Sequence, residues 1–138
     1  MAAEVIEELR TSSSDRKVSV TIAPNLSVSG DARLVRILLG NLIGNAWKFT
    51  GNKADAKIEV GGEGVNGEAR LFVRDNGAGF DMIHSHKLFG AFQRLHSQSE
   101  FPGMGIGLAT VRRIVNRHGG RSWAEGAVGE GATFYFVL

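Results

Sequence analysis

Four groups of residues in this 138-residue chain have types and spacings that chemistry could use. The first is Asn41, Asn45 and Lys48, in the run Asn-Leu-Ile-Gly-Asn-Ala-Trp-Lys-Phe-Thr at 41–50. At ~100° per residue of helix, these three side chains share an arc of roughly 60° beside an apolar face of Val35, Leu39, Leu42, Ala46 and Phe49. Burying an amide without a partner costs about 1–3 kcal/mol. Two amides and an amine in that place therefore either bond nearby backbone, as helical Asn often does, or hold a ligand. The second group is Asp75-Asn76-Gly77-Ala78-Gly79-Phe80, directly after apolar Leu71-Phe72-Val73. A carboxylate at a strand exit, followed by two spaced glycines, is either a tight turn or a backbone passing close to something flat. The third is Gly103-Met104-Gly105-Ile106-Gly107-Leu108, which runs into an apolar-periodic segment ending at His118. Glycines ahead of a helix leave free N–H groups and the positive end of its dipole for an anion, and a hinge is the alternative. Gly-Lys-Ser/Thr is absent, so this is no P-loop, and no strand directly precedes it as a dinucleotide fingerprint requires. The fourth is His84-x-His86, where no carboxylate or third His stands nearby to complete a metal site.

These groups need elements to hold them. Asp31, after Gly30, is a good N-cap for a helix that carries 41–50 and ends at Gly51-Asn52. Residues 2–10 predict a short amphipathic helix with a Val5, Ile6, Leu9 stripe. Lys17 to Ala23 alternates, with Val18, Val20 and Ile22 on one side, as a half-buried strand does. Leu26 to Ser29 reads as a further short strand. Lys57 to Gly61 and Ala69 to Arg74 are strands, and the glycines between them belong to a hairpin turning at Asn66-Gly67. Residues 84–104 have little periodicity. A loop of more than ~15 residues within a compact domain is usually functional or mobile. Leu108 to His118 is a helix with Ile106, Ala109, Thr110, Ile114 and Val115 inward, stopped by Gly119-Gly120. Residues 121–125 and 132–137 form a closing pair of strands around a glycine-rich turn. The pattern predicts a two-layer α/β (α+β) sandwich: a mixed, mainly antiparallel sheet of about five strands with about three helices on one face.

The length and the 43% hydrophobic, 22% charged composition fit one globular domain with a real core. With no Cys, neither a disulfide frame nor a thiolate metal site is available. No apolar run approaches the ~20 residues of a membrane span. A net charge of +2 is too small for a nucleic-acid footprint. Even so, Lys87, Arg94, Arg112, Arg113, Arg117 and Arg121 crowd the last third, which favours a small polyanionic ligand.

Together the motifs resemble those of the ATP-binding catalytic domain of sensor histidine kinases, in the superfamily that also holds gyrase and the MutL repair ATPases (the Bergerat fold). The resemblance covers nearly all of residues 1–138. Asn41 to Thr50 is similar to the N box, Asp75-x-Gly77-x-Gly79 to the first glycine box and Phe89-x-x-Phe92 to the F box. Gly103-x-Gly105-x-Gly107-Leu108 is similar to the second glycine box, and Gly129-Glu130-Gly131-Ala132-Thr133-Phe134 to the third. Trp47 and Phe-Gln-Arg-Leu-His at 92–96 resemble kinases with PAS- or phytochrome-type sensors. The resemblance implies ATP and Mg²⁺ as cofactors, with a catalytic set of Asn41, Asn45, Lys48 and Arg94. Asn45 would hold the metal, with Asn41 close by, and Lys48 a phosphate. Asp75 would accept from the adenine amino group, Gly77 and Gly79 would pass the ring, and Thr133 would touch the same base edge. Gly103, Gly105, Gly107 and Leu108 would fold a lid, about residues 84–104, over the phosphates. Arg94 would contact the γ-phosphate or simply be solvated, and Phe89 and Phe92 would otherwise be core anchors.

Two departures shape the implied activity. Gyrase-like hydrolases carry a Glu where this chain has Asn41, and an amide has no useful basicity. Phosphoryl transfer is therefore expected rather than efficient hydrolysis. None of His84, His86, His96 and His118 precedes an acidic residue, as a phosphoacceptor His usually does. The acceptor histidine is then expected on a dimerisation domain upstream in a parent protein, with a response regulator downstream. The implied fragment is cytoplasmic and monomeric and contacts neither nucleic acid nor membrane. The alternatives from the same motifs are a nucleotide-binding regulatory module without productive transfer, and a protein serine kinase of the anti-sigma type.

Overall fold

The computed structural model describes residues 1–12, 16–24, 26–80, 82 and 107–138. In chain order the elements are α1 (Ala2–Ser12), β1 (Ser19–Ile22), α2 (Ala32–Phe49), β2 (Lys57–Val65), β3 (Glu68–Asp75), α3 (Gly107–Arg117), β4 (Arg121–Ala127) and β5 (Gly131–Val137). Five strands form one sheet in the order β1-β2-β3-β5-β4. β1 runs parallel to β2, and the other neighbours are antiparallel. The three helices lie on one face of this open mixed sheet, as the sequence pattern predicts.

α2 is the spine of the helical layer. Its start is fixed by Asp31, whose Oδ1 accepts from the backbone N–H groups of Arg33 (2.9 Å) and Leu34 (3.1 Å). These are two of the donors a helix start leaves unpaired. Leu38, Leu42 and Ile43 are fully buried against Val5 and Ile6 of α1, Val111 and Val115 of α3, and Val73, Phe134 and Phe136 of the sheet. Each such side chain contributes roughly 1.5–3 kcal/mol on leaving water. On the solvent side, Arg36 bridges Glu4 and Glu8 of α1.

Strand alternation sorts the sheet residues. Val73 and Asp75 of β3 share the helix-side face with Ala132, Phe134 and Phe136 of β5. Phe72, Arg74, Thr133 and Tyr135 take the other face. There, Trp123 stacks on Tyr135 at 5.1 Å, and Arg70 and Arg121 lie over the Trp123 ring. The β2–β3 hairpin turns at Asn66 (φ 53°) and Gly67 (φ 78°), the left-handed pair that an Asn-Gly turn allows.

Three expectations need correction. Leu26–Ser29 forms no strand. β1 alternates, yet Ile22 stays 37% exposed because β1 is the sheet edge and no strand pairs beyond it among the described residues. α3 buries Val111, Ile114 and Val115, with Ala109 and Thr110 only half-buried, so its inward face is rotated from the predicted one.

Candidate functional site

Of the predicted residues, Asp75, Gly77 and Gly79 lie where the exit of β3 meets the end of α2, the helix that carries Asn45 and Lys48. Two backbone contacts make that junction. The Ala78 N–H donates to the Phe49 carbonyl at 3.0 Å. Gly77 lies so close to that carbonyl that a Cβ would overlap its oxygen. Any side chain at 77 would push the loop off the helix, which is the physical reason for glycine there. Gly79 has φ +66°, and a Cβ on it would overlap the Ala127 carbonyl oxygen. Gly129 N–H donates to Ala78 O at 2.7 Å, closing the loop against the β4–β5 turn.

Asp75 sits at the centre of this corner and is 5% exposed. Its Oδ1 accepts from Gly77 N–H at 2.8 Å. Burial pushes its carboxyl up to about 6, against the opposing pull of N–H donation from Gly77 and Ala132. A buried carboxylate with two backbone donors, and with no cation against it among the described residues, retains unused acceptor capacity. Asn76 holds the corner from the other side: its Oδ1 accepts from Lys57 N–H (2.8 Å) and its Nδ2 donates to Asp55 O (2.9 Å). The sequence reading missed this structural role, since neither partner is a neighbour in the chain.

Asn41, Asn45 and Lys48 stand half-buried on α2. Asn41 Nδ2 donates to Ile37 O at 3.1 Å, the local helical bond that such an amide can make. This bond orients the amide along its own helix. Among the described residues, the Asn45 amide makes no side-chain hydrogen bond. The Lys48 Nζ lies 5.3 Å from the Phe49 ring centroid. Because Phe49 O receives Ala78 N–H, the turn of α2 that carries Asn45 and Lys48 is the turn docked on the Asp75 loop.

α3 packs on the same helix. His118, just past its end, accepts from Asp31 N–H through Nε2 at 3.0 Å, while Nδ1 lies 2.8 Å from Ile114 O. The end of α3 is thereby tied to the start of α2, and the two helices pack together through Val111, Val115 and Leu38. α3 is thus packed on α2 from that tie. Leu108 packs against the core.

Thr133 does not join the corner. Its Oγ1 accepts from Arg74 Nε at 3.2 Å on the outer face, because it alternates with Ala132 and Phe134. Ala132, not Thr133, stands on the Asp75 side. Arg94, Gly103 and Gly105, with Phe89, Phe92, His84, His86 and His96, lie outside the described residues.

Residues 30–138 match the family described as histidine kinase-, DNA gyrase B-, and HSP90-like ATPases. The chain belongs to this family. It is 38% identical over 135 residues to cyanobacterial phytochrome A of Nostoc sp., covering 98% of this chain and 18% of the phytochrome. It is also 38% identical over 142 residues to the methanogenesis regulatory histidine kinase FilI of Methanothrix harundinacea, covering 98% of this chain and 16% of FilI. The chain thus spans less than a fifth of the length of these relatives. Among solved structures, a mycobacterial sensor histidine kinase, MprB, superposes with a TM-score of 0.81 at 28% identity, over 99% of this chain and 91% of the other. Full-length ShkA in complex with AMPPNP superposes with a TM-score of 0.79 at 27% identity, over 98% of this chain and 28% of ShkA. In fold and in the order of its motifs the chain is thus similar to the matching region of histidine kinases. No described helix is long and apolar enough to cross a membrane.

Proposed function

We propose that the domain binds ATP with Mg²⁺ between the last turns of α2, the exit of β3 and the start of α3, and donates the γ-phosphate to a histidine on a separate phosphoacceptor domain. The observation that carries this reading is Asp75: a buried carboxylate, braced by backbone on two sides, at the start of the loop whose Ala78 N–H docks on Phe49 O of the turn that bears Asn45 and Lys48. A carboxylate in that setting selects a ligand edge that donates, as the adenine amino group does. Gly77 and Gly79 keep the neighbouring backbone low enough for a flat ring. The donor set on α2 fits the metal: the Asn45 amide oxygen is the hard, neutral ligand Mg²⁺ accepts beside phosphates and water. When bound, Mg²⁺ neutralises charge on the phosphates. Lys48 adds a point charge one turn on, and the α3 N-terminus supplies N–H groups and a positive dipole end, with Gly103, Gly105 and Gly107 leading into it.

The chain's part in the reaction is positioning. The acceptor imidazole nitrogen attacks the γ-phosphorus, the bond to the β,γ-bridging oxygen breaks, and ADP leaves with that oxygen. Such a transfer asks the protein for alignment and charge stabilisation rather than covalent help. Asn41 has no basicity with which to activate water, so transfer is favoured over hydrolysis. Arg94 is assigned to the γ-phosphate. The acceptor domain, a response regulator and a cytoplasmic setting complete the reading, which treats residues 1–138 as one catalytic domain.

The test has two stages. Titration of this chain with AMPPNP should show binding that strengthens with Mg²⁺. An acceptor domain bearing a histidine, supplied in trans with ATP, should then gain an acid-labile phosphate. An acid-stable product would instead identify a serine kinase, and binding with no labelled acceptor would identify a regulatory module.

A further inference from the structure

The last four carbonyls of a helix have no partner within the helix. In α2 every one is answered, each in a different way. Ala46 O receives the Thr50 N–H and hydroxyl at 3.2 and 2.8 Å. Lys48 O receives Gly51 N–H at 3.1 Å, and Phe49 O receives Ala78 N–H. Trp47 O receives the Arg16 guanidinium, Nη1, at 2.5 Å, and also lies 3.0 Å from the Thr50 hydroxyl. The second arm of the same guanidinium, Nη2, donates to Thr50 Oγ1 at 3.1 Å. Its plane sits over the Trp47 ring, 5.0 Å from the centroid. Thr50 is fully buried, and its single hydroxyl proton is taken by the carbonyls of its own helix, so its oxygen is left to accept from Arg16.

Arg16 is therefore a fork with three attachments to one turn: a carbonyl, a buried hydroxyl and an aromatic platform. It also places a cation at the negative end of the α2 dipole. Lysine could supply the charge but not two parallel donors on a flat, stacked group. The contact spans 31 and 34 residues of sequence, and Arg16 lies outside the residues 30–138 that match the family. The turn it grips runs from Asn45 to Thr50, which carries the two side chains assigned above to the metal and a phosphate.

We propose that Arg16 is a positioning residue for the nucleotide site: it sets the last turn of α2, and through that turn the placement of Asn45 and Lys48. The inference rests on the reading of α2 as the metal and phosphate side of the site. It separates two parts of affinity. The Asp75 corner touches this turn through Ala78 N–H on Phe49 O, but it is also braced by Asn76, Gly129 and the sheet, so recognition of the base should largely survive the loss of Arg16. The gain in affinity that Mg²⁺ brings should not.

The measurement is calorimetric titration of this chain with AMPPNP, in Mg²⁺ and in EDTA, for the parent and for Arg16→Ala, Arg16→Gln and Arg16→Lys. Circular dichroism establishes that each variant is folded. Arg16→Ala should bind Mg²⁺·AMPPNP about tenfold more weakly, the scale set by a charge-assisted hydrogen bond, with a much smaller change in EDTA. Arg16→Lys should recover part of that loss and Arg16→Gln less. The backbone and side-chain amide resonances of Asn45 should shift in the variants while those around Asp75 stay. Equal losses in Mg²⁺ and EDTA, or unchanged affinity in a folded variant with a lowered Tm, would show a merely structural residue and overturn the inference. If Arg16→Ala does not fold, Arg16→Lys decides: parent-like Mg²⁺ dependence overturns it, and a several-fold loss of that dependence supports it. A parent protein that binds AMPPNP without regard to Mg²⁺ would instead defeat the reading of α2 itself.

Discussion

The Asp75 corner and the Asn45 arc meet at the last turn of α2 but are built by opposite means. The corner is backbone set against backbone: Ala78 on Phe49, Gly129 on Ala78, and Gly77 and Gly79 packed where no Cβ fits. Its carboxylate, Asp75, is buried at a cost. The arc is a set of half-buried side chains on a helix that would form without them, since Leu38, Leu42 and Ile43 supply its packing. The difference implies that the corner is preformed by folding, whereas the arc is completed by its ligand. Changes in the corner should register in both stability and binding, and changes in the arc in binding alone.

The hardest blow to the corner is Gly79→Ala. The new methyl must displace the Ala127 carbonyl from a backbone held at φ +66°. A loss of more than about 2 kcal/mol is expected, from strain and overlap together, and nucleotide binding should go with it. Thermal denaturation checks this. A Tm within a degree or two of the parent (about the noise of the measurement) would mean that the loop is looser than its contacts imply.

Asp75→Asn divides the two readouts. It removes a buried charge while keeping the shape and an acceptor for Gly77 N–H. AMPPNP affinity should fall roughly ten- to a hundredfold, the value of a hydrogen bond to a charged group. Tm should hold or rise, because the carboxylate is paid for at neutral pH, a common trade between stability and function. Unchanged affinity would move the base elsewhere.

Asn45→Ala tests the arc. The Mg²⁺-dependent part of the affinity should drop about tenfold or less, since one neutral ligand among waters and phosphates is lost. Tm should stay put, as this amide bonds to nothing among the described residues. A clear fall in Tm would show that the arc, too, is part of the scaffold.

Much of this contrast is readable in the chain because it is local. Asp31 before an apolar-periodic run declares a helix start, Asn66-Gly67 declares a hairpin, and spaced glycines after Asp75 declare a close backbone approach. What the sequence hides is contact between distant residues. Arg16 meets Trp47 and Thr50 across more than thirty positions, and Asn76 reaches back to Asp55 and Lys57; no periodicity announces either. Phase, too, is set by packing and pairing. Val111 turns inward in place of Thr110 because packing against α2, not the apolar count, sets the rotation of α3. Thr133 stands on the outer face, because strand period two gives the Asp75 side to Ala132 once Asp75 is paired with Ala132.

The smallest expected effect is also the one that separates the corner from the arc most cleanly. Burial lifts the Asp75 carboxyl from an ordinary 3.8 to about 6. A folded-state value raised in this way favours the native protein at acid pH. Its contribution is complete below the unfolded value and is lost as pH rises through 6, at most about 3 kcal/mol over the full span. A ligand that donates to the carboxylate needs the ionised form, so affinity runs the other way. Between pH 7 and 6 it should fall roughly twofold, and by pH 5 about tenfold, as the fraction ionised dictates. Stability and affinity thus carry opposite slopes over the same interval, and both belong to one group. In Asp75→Asn both slopes should flatten together, whereas Asn45→Ala should lower affinity at every pH and leave its slope intact. Titrations and melts of the three proteins between pH 5 and 8 provide the check. A slope that persists in Asp75→Asn would assign the proton to another residue and end the claim that the corner, rather than the arc, senses it.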